Sequence, residues 1–499
     1  MSLPVTLYSA SQVRALDAYA IGELGVPGYV LMKRAGEAAL RFLRTRWPTC
    51  HRIAIVCGGG NNGGDGYVLA RFAQAAGLTV SVLAAVAPER LTGDARQAHA
   101  DLRASGGRVL AFDRDLLFDA EVIVDALLGT GLAQPVRAEA AEVIAALNAS
   151  ARPKFALDVP SGLDSDTGEP RGAAVRADCT VTFVALKTGL FIGRGPEHAG
   201  TVYFDDLEVP IPPERGEFAP RLERIVEPEI AAALPRRART AHKGDFGRVL
   251  IVGGGPGMPG AARLAGEAAL RVGAGLVTVA VSPDNIAGIV AGRPELICLP
   301  LHEPSDLEEP LEHADVVAIG PGLGRSRWAA EVLAIALRAQ QPLVVDADAL
   351  NLIAEQARTG RAEGPRGNWI LTPHPGEAGR LLGVSTAEIQ QDRLRALAGL
   401  IERYGGVAIL KGAGTLVGAS GRTPGVCERG NPGMATAGMG DVLTGATAGI
   451  LAQCGDPWLA ARVAVLVHAM SGDVAARVGG ERGLLAGDVA RELRTCVNL

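Results

Sequence analysis

The chain has 499 residues, 48% hydrophobic and 21% charged; this is a globular composition, and two domains of about 200–270 residues each are expected because so long a chain exceeds most single cores. A net charge of −5, from 49 Lys+Arg against 54 Asp+Glu with no basic run, gives nucleic acid neither a general nor a local attraction. The 65 glycines and only 4% aromatics suit tight turns between the buried strands of a parallel α/β protein.

Seven scattered cysteines (Cys50, Cys57, Cys179, Cys298, Cys427, Cys454 and Cys496) form no C-x-x-C pair. Neither a zinc site nor a disulfide framework is indicated, and reduced thiols in a cytoplasmic enzyme are expected. The opening "MSLPVTLYSASQVRALDAYA" lacks a basic start followed by an apolar core, so no secretion signal is expected. No apolar stretch reaches the ~18 residues that would suggest a membrane span.

Leu31, Ala35, Ala39 and Leu43 share one helical face near the start. Strands and helices then alternate. "RIAIVC" (52–57) reads as a strand running into glycines, and "YVLARFAQAAG" (67–77) as a helix that Gly77 can cap. "LTVSVLAAV" (78–86), "EVIVDAL" (121–127), "KFALDV" (154–159) and "CTVTFVAL" (179–186) read as further strands. Continuous apolar strands of this kind imply a parallel sheet covered on both faces. Around 210–240 the chain turns rich in Pro and charge, which places a domain boundary there. The alternation restarts with strands in 248–255, 276–281, 315–324, 342–350, 368–377 and 406–417, and a long helix should follow Gly440.

Gly58, Gly60 and Gly63 satisfy G-x-G-x-x-G after a strand, as do Gly255, Gly257 and Gly260. The dinucleotide fingerprint also needs an acid about 20 residues on, to hold the ribose. Positions 83 and 280 are Leu and Ala, and the nearest acids, Glu89 and Asp284, lie beyond the strand ends. An ordinary Rossmann dehydrogenase is therefore disfavoured. A Walker A loop is excluded, because the sequence has no Gly-Lys dipeptide. What remains in "CGGGNNGGDG" is a phosphate-approachable loop carrying Asn61, Asn62 and Asp65, whose amide and carboxylate oxygens also suit an alkali or alkaline-earth ion. "DALLGTGLAQP", with Asp125, and "ALDVPSGLDSDTG", with Asp158, Ser161 and Asp164, also sit at strand ends, where parallel sheets place their sites. Singly these are ordinary turn residues; three such clusters in succession point to a site.

These three motifs make residues 5–215 resemble the NAD(P)H-hydrate epimerase domain. The resemblance implies a Rossmann-like three-layer αβα sandwich, set at 1–218, that binds a hydrated nicotinamide nucleotide. By position it implies that Asn61, Asn62, Gly63, Gly64 and Asp65 line the nucleotide. Gly129, Thr130, Gly131, Leu132, Ala133, Gln134 and Pro135 would cradle phosphate. Asn62, Asp125 and Ser161 would hold K⁺, and Asp158 would meet the hydrated ring as an acid/base for interconverting two epimers.

"NPGMATAGMGDVLTG" (431–445) puts Gly438 and Gly440 before a predicted helix, with Asp441 in its first turn. Glycine N–H groups and the helix dipole make an anion hole there. An acid in that field is expected to be ionised and able to take a proton from a hydroxyl that attacks a phosphoryl group. A capping Asp after a Gly turn is the plainer alternative. Lys411 sits at the turn of "ILKGAGTLV", and His374 and Glu377 at the strand end of "LTPHPGEAGRLL".

With "HKGDFGRVLIVGGG", "GMPGAARLAGEAALRVGAGLVTV", "GPGLG" and "DADALN", these motifs make residues 240–495 resemble the ribokinase-like superfamily, and within it the ADP-dependent NAD(P)H-hydrate dehydratases. The resemblance implies a ribokinase-like αβα domain, set at 225–499. It implies that Lys411, Gly412, Ala413, Gly414, Thr415 and Gly440 contact the adenine nucleotide. Gly322, His374 and Asp441 would contact the hydrate, with Ala262 (or its neighbour Ala261) beside them; His374 binds substrate or braces its loop. Mg²⁺ and K⁺ are the implied cofactors and ADP the co-substrate. The expected partners are NADHX, NADPHX and ADP in a cytoplasmic homo-oligomer, without nucleic acid or membrane. Two rivals stand beside this reading. One is a small-molecule kinase with a regulatory first domain. In the other the first domain is an interaction scaffold, which the intact "NNGGDG", Asp125 and Asp158 argue against.

Overall fold

Apolar β-branched runs become the strands of two mainly parallel sheets, one in each of two compact units, Met1–Glu223 and Arg224–Leu499. The computed structural model describes residues 3–132, 134–212, 216–360 and 364–498, so the expectation for Ala133 lies outside the described residues.

In the first unit the seven-stranded sheet consists of β1 (Arg52–Cys57), β2 (Thr79–Ala84), β3 (Val109–Ala111), β4 (Val122–Ala126), β5 (Lys154–Leu157), β6 (Cys179–Phe183) and β7 (Thr201–Asp205). All pair in parallel, in the order β3-β2-β1-β4-β5-β6-β7. Alternate side chains of β1 serve opposite faces. Ile53 and Ile55 join the core under α1 (Asn61–Ala75), while Ala54 and Val56 join the core that holds Ile144 and Leu147 of the helix Ala138–Ala149. The result is the expected three-layer sandwich. The chain winds outward from β1 to β3 and then returns to place β4 on the other side of β1. The loops leaving β1 and β4 therefore diverge from one crevice.

The second unit repeats the logic with β8 (Arg248–Val252), β9 (Leu276–Val281), β10 (Ile297–Pro300), β11 (Val316–Ile319), β12 (Leu343–Val345), β13 (Trp369–Leu371), β14 (Val407–Leu410), β15 (Thr415–Ala419) and β16 (Gly425–Cys427). Their order is β10-β9-β8-β11-β12-β13-β14-β15-β16. Pairing is parallel up to β14 and antiparallel beyond it. The helices that matter for the site are α2 (Pro259–Arg271), α3 (Ala347–Arg358), α4 (Pro375–Leu382), α5 (Met439–Cys454) and α6 (Pro457–Gly479).

Two expectations change. β3, β7, β10 and β16 were not legible: three are largely half-buried or exposed strands at sheet edges, and β16 is three residues long. The search for apolar spans also missed α6, which is long and apolar enough to cross a membrane by length and composition, with a window of mean hydropathy 1.4. That window is 72% buried, and Val463, Ala464 and Val467 belong to the core of the second unit, so α6 is its central packing helix.

Helices α2 and α5 cross where Gly445 faces Ala265. A Cβ at Gly445 would lie 1.9 Å from the Ala265 carbonyl oxygen, so only a residue without one allows this approach. Gly445→Ala should destabilise the second unit by about 1–3 kcal/mol, read as a lowered denaturant midpoint, because backbone rather than a flexible side chain blocks the methyl. An unchanged midpoint would contradict this packing.

Candidate functional site

The two divergent loops of the first unit touch directly. Gly58 N–H donates to the Ala126 carbonyl at 3.0 Å, and a Cβ at Gly58 would meet the Leu127 oxygen at 1.9 Å. This contact sets Asn62, at the start of α1, beside the end of β4. Asn62 Nδ2 donates to the Leu128 carbonyl at 2.9 Å, while its Oδ1 is buried with no hydrogen-bond partner. Asp125 is 1% exposed and accepts from Ser161 N–H at 2.8 Å, Ser161 Oγ at 2.5 Å and Leu127 N–H at 3.2 Å. Burial pushes Asp125 up to about 6, against the downward pull of the Ser161 and Leu127 hydrogen bonds. Ser161 Oγ also accepts from Leu128 N–H at 2.7 Å. An orphaned amide oxygen, a buried carboxylate, a hydroxyl and a carbonyl thus share one small polar spot, an all-oxygen donor set with one negative charge.

Beside it opens a cavity of about 500 Å³ lined by Asn61, Asn62, Asp65, Gly129 to Leu132 and Asp158. Gly63 and Gly64 do not line it: they pack inside α1's base, against the Gly58 carbonyl and the Met32 side chain. Gln134 and Pro135 are not among its lining residues either. Asp158 has φ 65°, a left-handed conformation uncommon for any residue but Gly. Lys187, 1% exposed, donates to Asp158 Oδ1 at 2.5 Å. Sequence reasoning missed Lys187 and Asp17, which also line this cavity. A lysine inside "VALKTGL" gives no local sign of burial.

In the second unit the equivalent loops also meet, Gly255 N–H donating to the Gly322 carbonyl at 2.7 Å. Gly322 lies beside Ala261, which is half-buried, whereas Ala262 is wholly buried in the core of the unit. Of the two alanines it is Ala261 that can border a ligand, a correction that follows from which face of α2 packs inward.

Lys411 centres this site. Its ammonium donates to Asp346 Oδ1 at 2.7 Å and lies 3.8 Å from Glu377 Oε2. A Cβ on Gly440 would sit 3.2 Å from the same nitrogen. Thr444 Oγ donates to Asp346 Oδ2 at 2.8 Å. Burial works against the charge on Lys411, but Asp346 and Glu377 outweigh it and raise the ammonium's pKa. The loop 411–415 rests on Arg393, 2% exposed, whose Nη2 donates to the carbonyls of Leu410, Lys411 and Gly414 at 3.1, 3.2 and 3.4 Å. Thr415 Oγ closes the loop on the Gly412 carbonyl at 2.8 Å; Ala413 lies within this same turn.

His374 is the N-cap of α4. Its Nδ1 accepts from Gly376 N–H at 2.9 Å and Glu377 N–H at 3.3 Å, and Glu377 Oε2 accepts from His374 N–H at 2.8 Å. Burial, then Lys411 and Arg380, lower its pKa, so the ring is neutral and braces the loop while half its side chain faces outward.

The expectation that Asp441 is ionised by the helix start does not hold. Burial and the Asp346 carboxylate push it up to about 7, and Lys411 pulls it back only in part. The helix begins at Met439, one residue before Gly440, so Asp441 lies within its first turn. Asp441 is thus raised toward neutral pH, the range in which a general base works best. Asp346, Thr444 and Arg393 escaped the sequence reading, although "VVDAD" at a strand end offered a signal for the first.

Comparison with known proteins follows the same division. The family model described as NAD(P)H-hydrate dehydratase matches residues 249–494, and that described as YjeF-related protein N-terminus matches 28–189. A bifunctional NAD(P)H-hydrate repair enzyme of Coxiella burnetii is 48% identical over 99% of each chain. One of Escherichia coli is 43% identical over 100% of this chain and 95% of that one. The solved structure of a ribokinase-like superfamily protein from Enterococcus faecalis is 30% identical with a TM-score of 0.51, covering 56% of this chain and 95% of that one.

Asp441 should titrate with a midpoint of about 7 in a carbon-13 carboxyl titration of the ligand-free protein. Asp346→Asn should lower that midpoint, since it removes a repelling charge and frees Lys411. A midpoint that stays put or rises would show that burial alone sets it.

Proposed function

The chain belongs to the bifunctional NAD(P)H-hydrate repair enzymes, and on that premise we propose how its two units divide the work. The first, residues 1–218, epimerises (6R)- and (6S)-NAD(P)HX. The second, residues 225–499, dehydrates the (6S) epimer to NAD(P)H while ADP becomes AMP and phosphate. An enzyme that dehydrates one epimer would leave the other to accumulate, and an epimerase on the same chain removes that limit.

The observation that carries the dehydratase assignment is a largely buried cation, Lys411, held by Asp346 within the electrostatic reach of a carboxyl raised toward neutrality, Asp441, at a glycine-lined helix start. Asp441 takes the proton of the hydrate's hydroxyl. The hydroxyl oxygen forms a bond to the terminal phosphorus of ADP as AMP departs. The new phosphate ester then leaves as phosphate, and loss of a proton from the neighbouring carbon restores the ring double bond. Phosphorylation turns a poor leaving group into a good one, which accounts for the nucleotide requirement. Lys411 and the N–H groups of the 411–415 loop hold nucleotide phosphate, and Gly440 lets it approach the helix. Gly322 and Ala261 flank the hydrate, with His374 holding the wall beside Glu377. Mg²⁺, when bound with the nucleotide, supplies charge screening on the phosphates.

In the first unit Asp158 serves as acid/base at the hydroxyl-bearing carbon. Asn61, Asp65 and Gly129 to Leu132 receive the nucleotide. Asn62 Oδ1, Asp125, Ser161 Oγ and the Leu128 carbonyl fit K⁺, and the partnerless buried oxygen of Asn62 supports that fit. K⁺ would order the loops that meet there.

Purified protein given a mixed-epimer NADHX sample, ADP, Mg²⁺ and K⁺ should restore the full reduced-nicotinamide absorbance. Asp158→Asn should restore only the (6S) share in the fast phase. Asp441→Asn should slow the whole recovery by about 10²–10⁴-fold. A stable phosphorylated product instead of NADH would favour a small-molecule kinase. Replacing K⁺ by Li⁺ should slow (6R) turnover and leave (6S) turnover unchanged, and equal rates in both salts would remove K⁺ from the account.

A further inference from the structure

The cavity of the first unit holds more ionisable groups than one base requires. Arg14, Asp17, Asp65, Asp94, Asp158 and Lys187 all line it. Lys187 is the buried one among them, and its ammonium is spent on two acceptors, Asp158 Oδ1 at 2.5 Å and the Phe183 carbonyl at 2.6 Å. A lysine taken out of water in this way is retained only with a charged partner, and here that partner is Asp158. Among the described residues Asp65 and Asp17 form no ion pair with a cation, although both feel Lys187 at longer range. Of the three carboxylates Lys187 pairs with Asp158 alone, and Arg14, the other cation of the cavity, donates instead to the Thr130 carbonyl. Burial, then the charges of Asp158 and Asp17, hold Asp65 well above the usual carboxylate range, and burial pushes Asp17 up to about 6 despite Lys187.

We propose that Asp158 and Asp65 are the base and acid of the epimerase, and that Lys187 is the positioning residue that gives Asp158 the base role. The proposal rests on the epimerase reading of this unit and deepens it. The hydrate's hydroxyl sits on the carbon bonded to the ring nitrogen. Asp158 takes the hydroxyl proton, the C–O bond becomes C=O, and the electron pair of the C–N bond passes to nitrogen. Asp65 gives that nitrogen its proton. Rotation about the adjoining C–C bond turns the other face of the carbonyl to the nitrogen. Nitrogen adds back and returns its proton to Asp65, while oxygen takes the proton held by Asp158. Nothing is oxidised or reduced, and both carboxyls end as they began. A site with two carboxylates would lack the acid; a site with two neutral acids would lack the base.

The test uses the full-length protein with (6R)-NADHX, saturating ADP and Mg²⁺, so that epimerisation limits NADH formation. Parallel runs with (6S)-NADHX read the second unit alone. Asp65→Asn should lower the (6R) kcat by about 100-fold or more, beyond any rise in KM, with the (6S) rate unchanged. Lys187→Met should lower the (6R) kcat, and Lys187→Arg, which can still donate to Asp158 Oδ1, should restore much of it with KM unchanged. A rise in KM alone for Asp65→Asn would make it a binding residue and overturn the proposal. So would a Lys187→Met variant as fast as the wild type, or a Lys187→Arg variant no faster than Lys187→Met. If Lys187→Met does not fold, Lys187→Arg decides: a (6R) kcat near the wild-type value supports the assignment, and one as low as that of Asp158→Asn overturns it. A wild-type protein inactive on (6R)-NADHX but active on (6S)-NADHX would remove the epimerase reading itself, a result distinct from any of these.

Discussion

Each unit is organised around one lysine ammonium, buried in the first and largely buried in the second, that meets more carboxyls than it can pair with. In the second unit Lys411 is held by Asp346 at 2.7 Å, with Glu377 and Asp441 close by. In the first, Lys187 is held by Asp158 at 2.5 Å, with Asp65 and Asp17 close by. Burial makes every unpaired charge costly, so the carboxyls that the ammonium does not hold shift upward. Glu377 and Asp441 both rise to about 7 for this reason, burial being the largest cause in each. A shortage of cations thus creates groups that can exchange protons near neutral pH. Raised carboxyls also tie folding to pH: their contribution is full below the unfolded pKa and is lost as pH rises through about 7.

The sheets explain why these groups converge. In both units a central strand, β1 or β8, has neighbours reached by opposite winding, and the two loops leaving the switch point touch through glycine backbones. Side chains at that contact would hold the loops apart: a methyl at Gly58 would lie 1.9 Å from the Leu127 carbonyl oxygen. With the loops closed, functional groups from β4, β5 and α1 in the first unit, and from β12, α4, β14 and α5 in the second, face a shared space. The chemistry differs because the residues differ: an all-oxygen spot and a ring of acids in one unit, a lysine at a glycine turn before a helix in the other.

Much of this was legible in sequence because parallel sheets write their sites at strand ends. "GGGNNGGDG", "DALLGTG" and "LDVPSGLD" follow apolar runs, and the structure brings Asn62, Asp125 and Ser161 together from them. Asp441 and Lys411 were found by the same logic. What escaped is what local pattern does not encode. Lys187, Arg393 and Thr444 act through partners distant in sequence, and nothing beside them marks their burial. The charge state of Asp441 was misjudged because a helix-terminus effect is local and legible, whereas desolvation and the Asp346 carboxylate belong to the folded site. Ala261 and Ala262 could not be told apart, because a run of two alanines does not show which one faces the core.

The central claim is that dehydration proceeds by phosphoryl transfer to the hydrate's own oxygen. (6S)-NADHX carrying oxygen-18 in its hydroxyl, turned over with unlabelled ADP in ordinary water, tests it in one measurement, with the released phosphate read by phosphorus-31 NMR isotope shift or mass spectrometry. One oxygen-18 in every phosphate is the predicted result, since the hydroxyl oxygen leaves bonded to phosphorus. Unlabelled phosphate, with the label in water, would contradict the account, because ADP hydrolysis and dehydration would then be separate events.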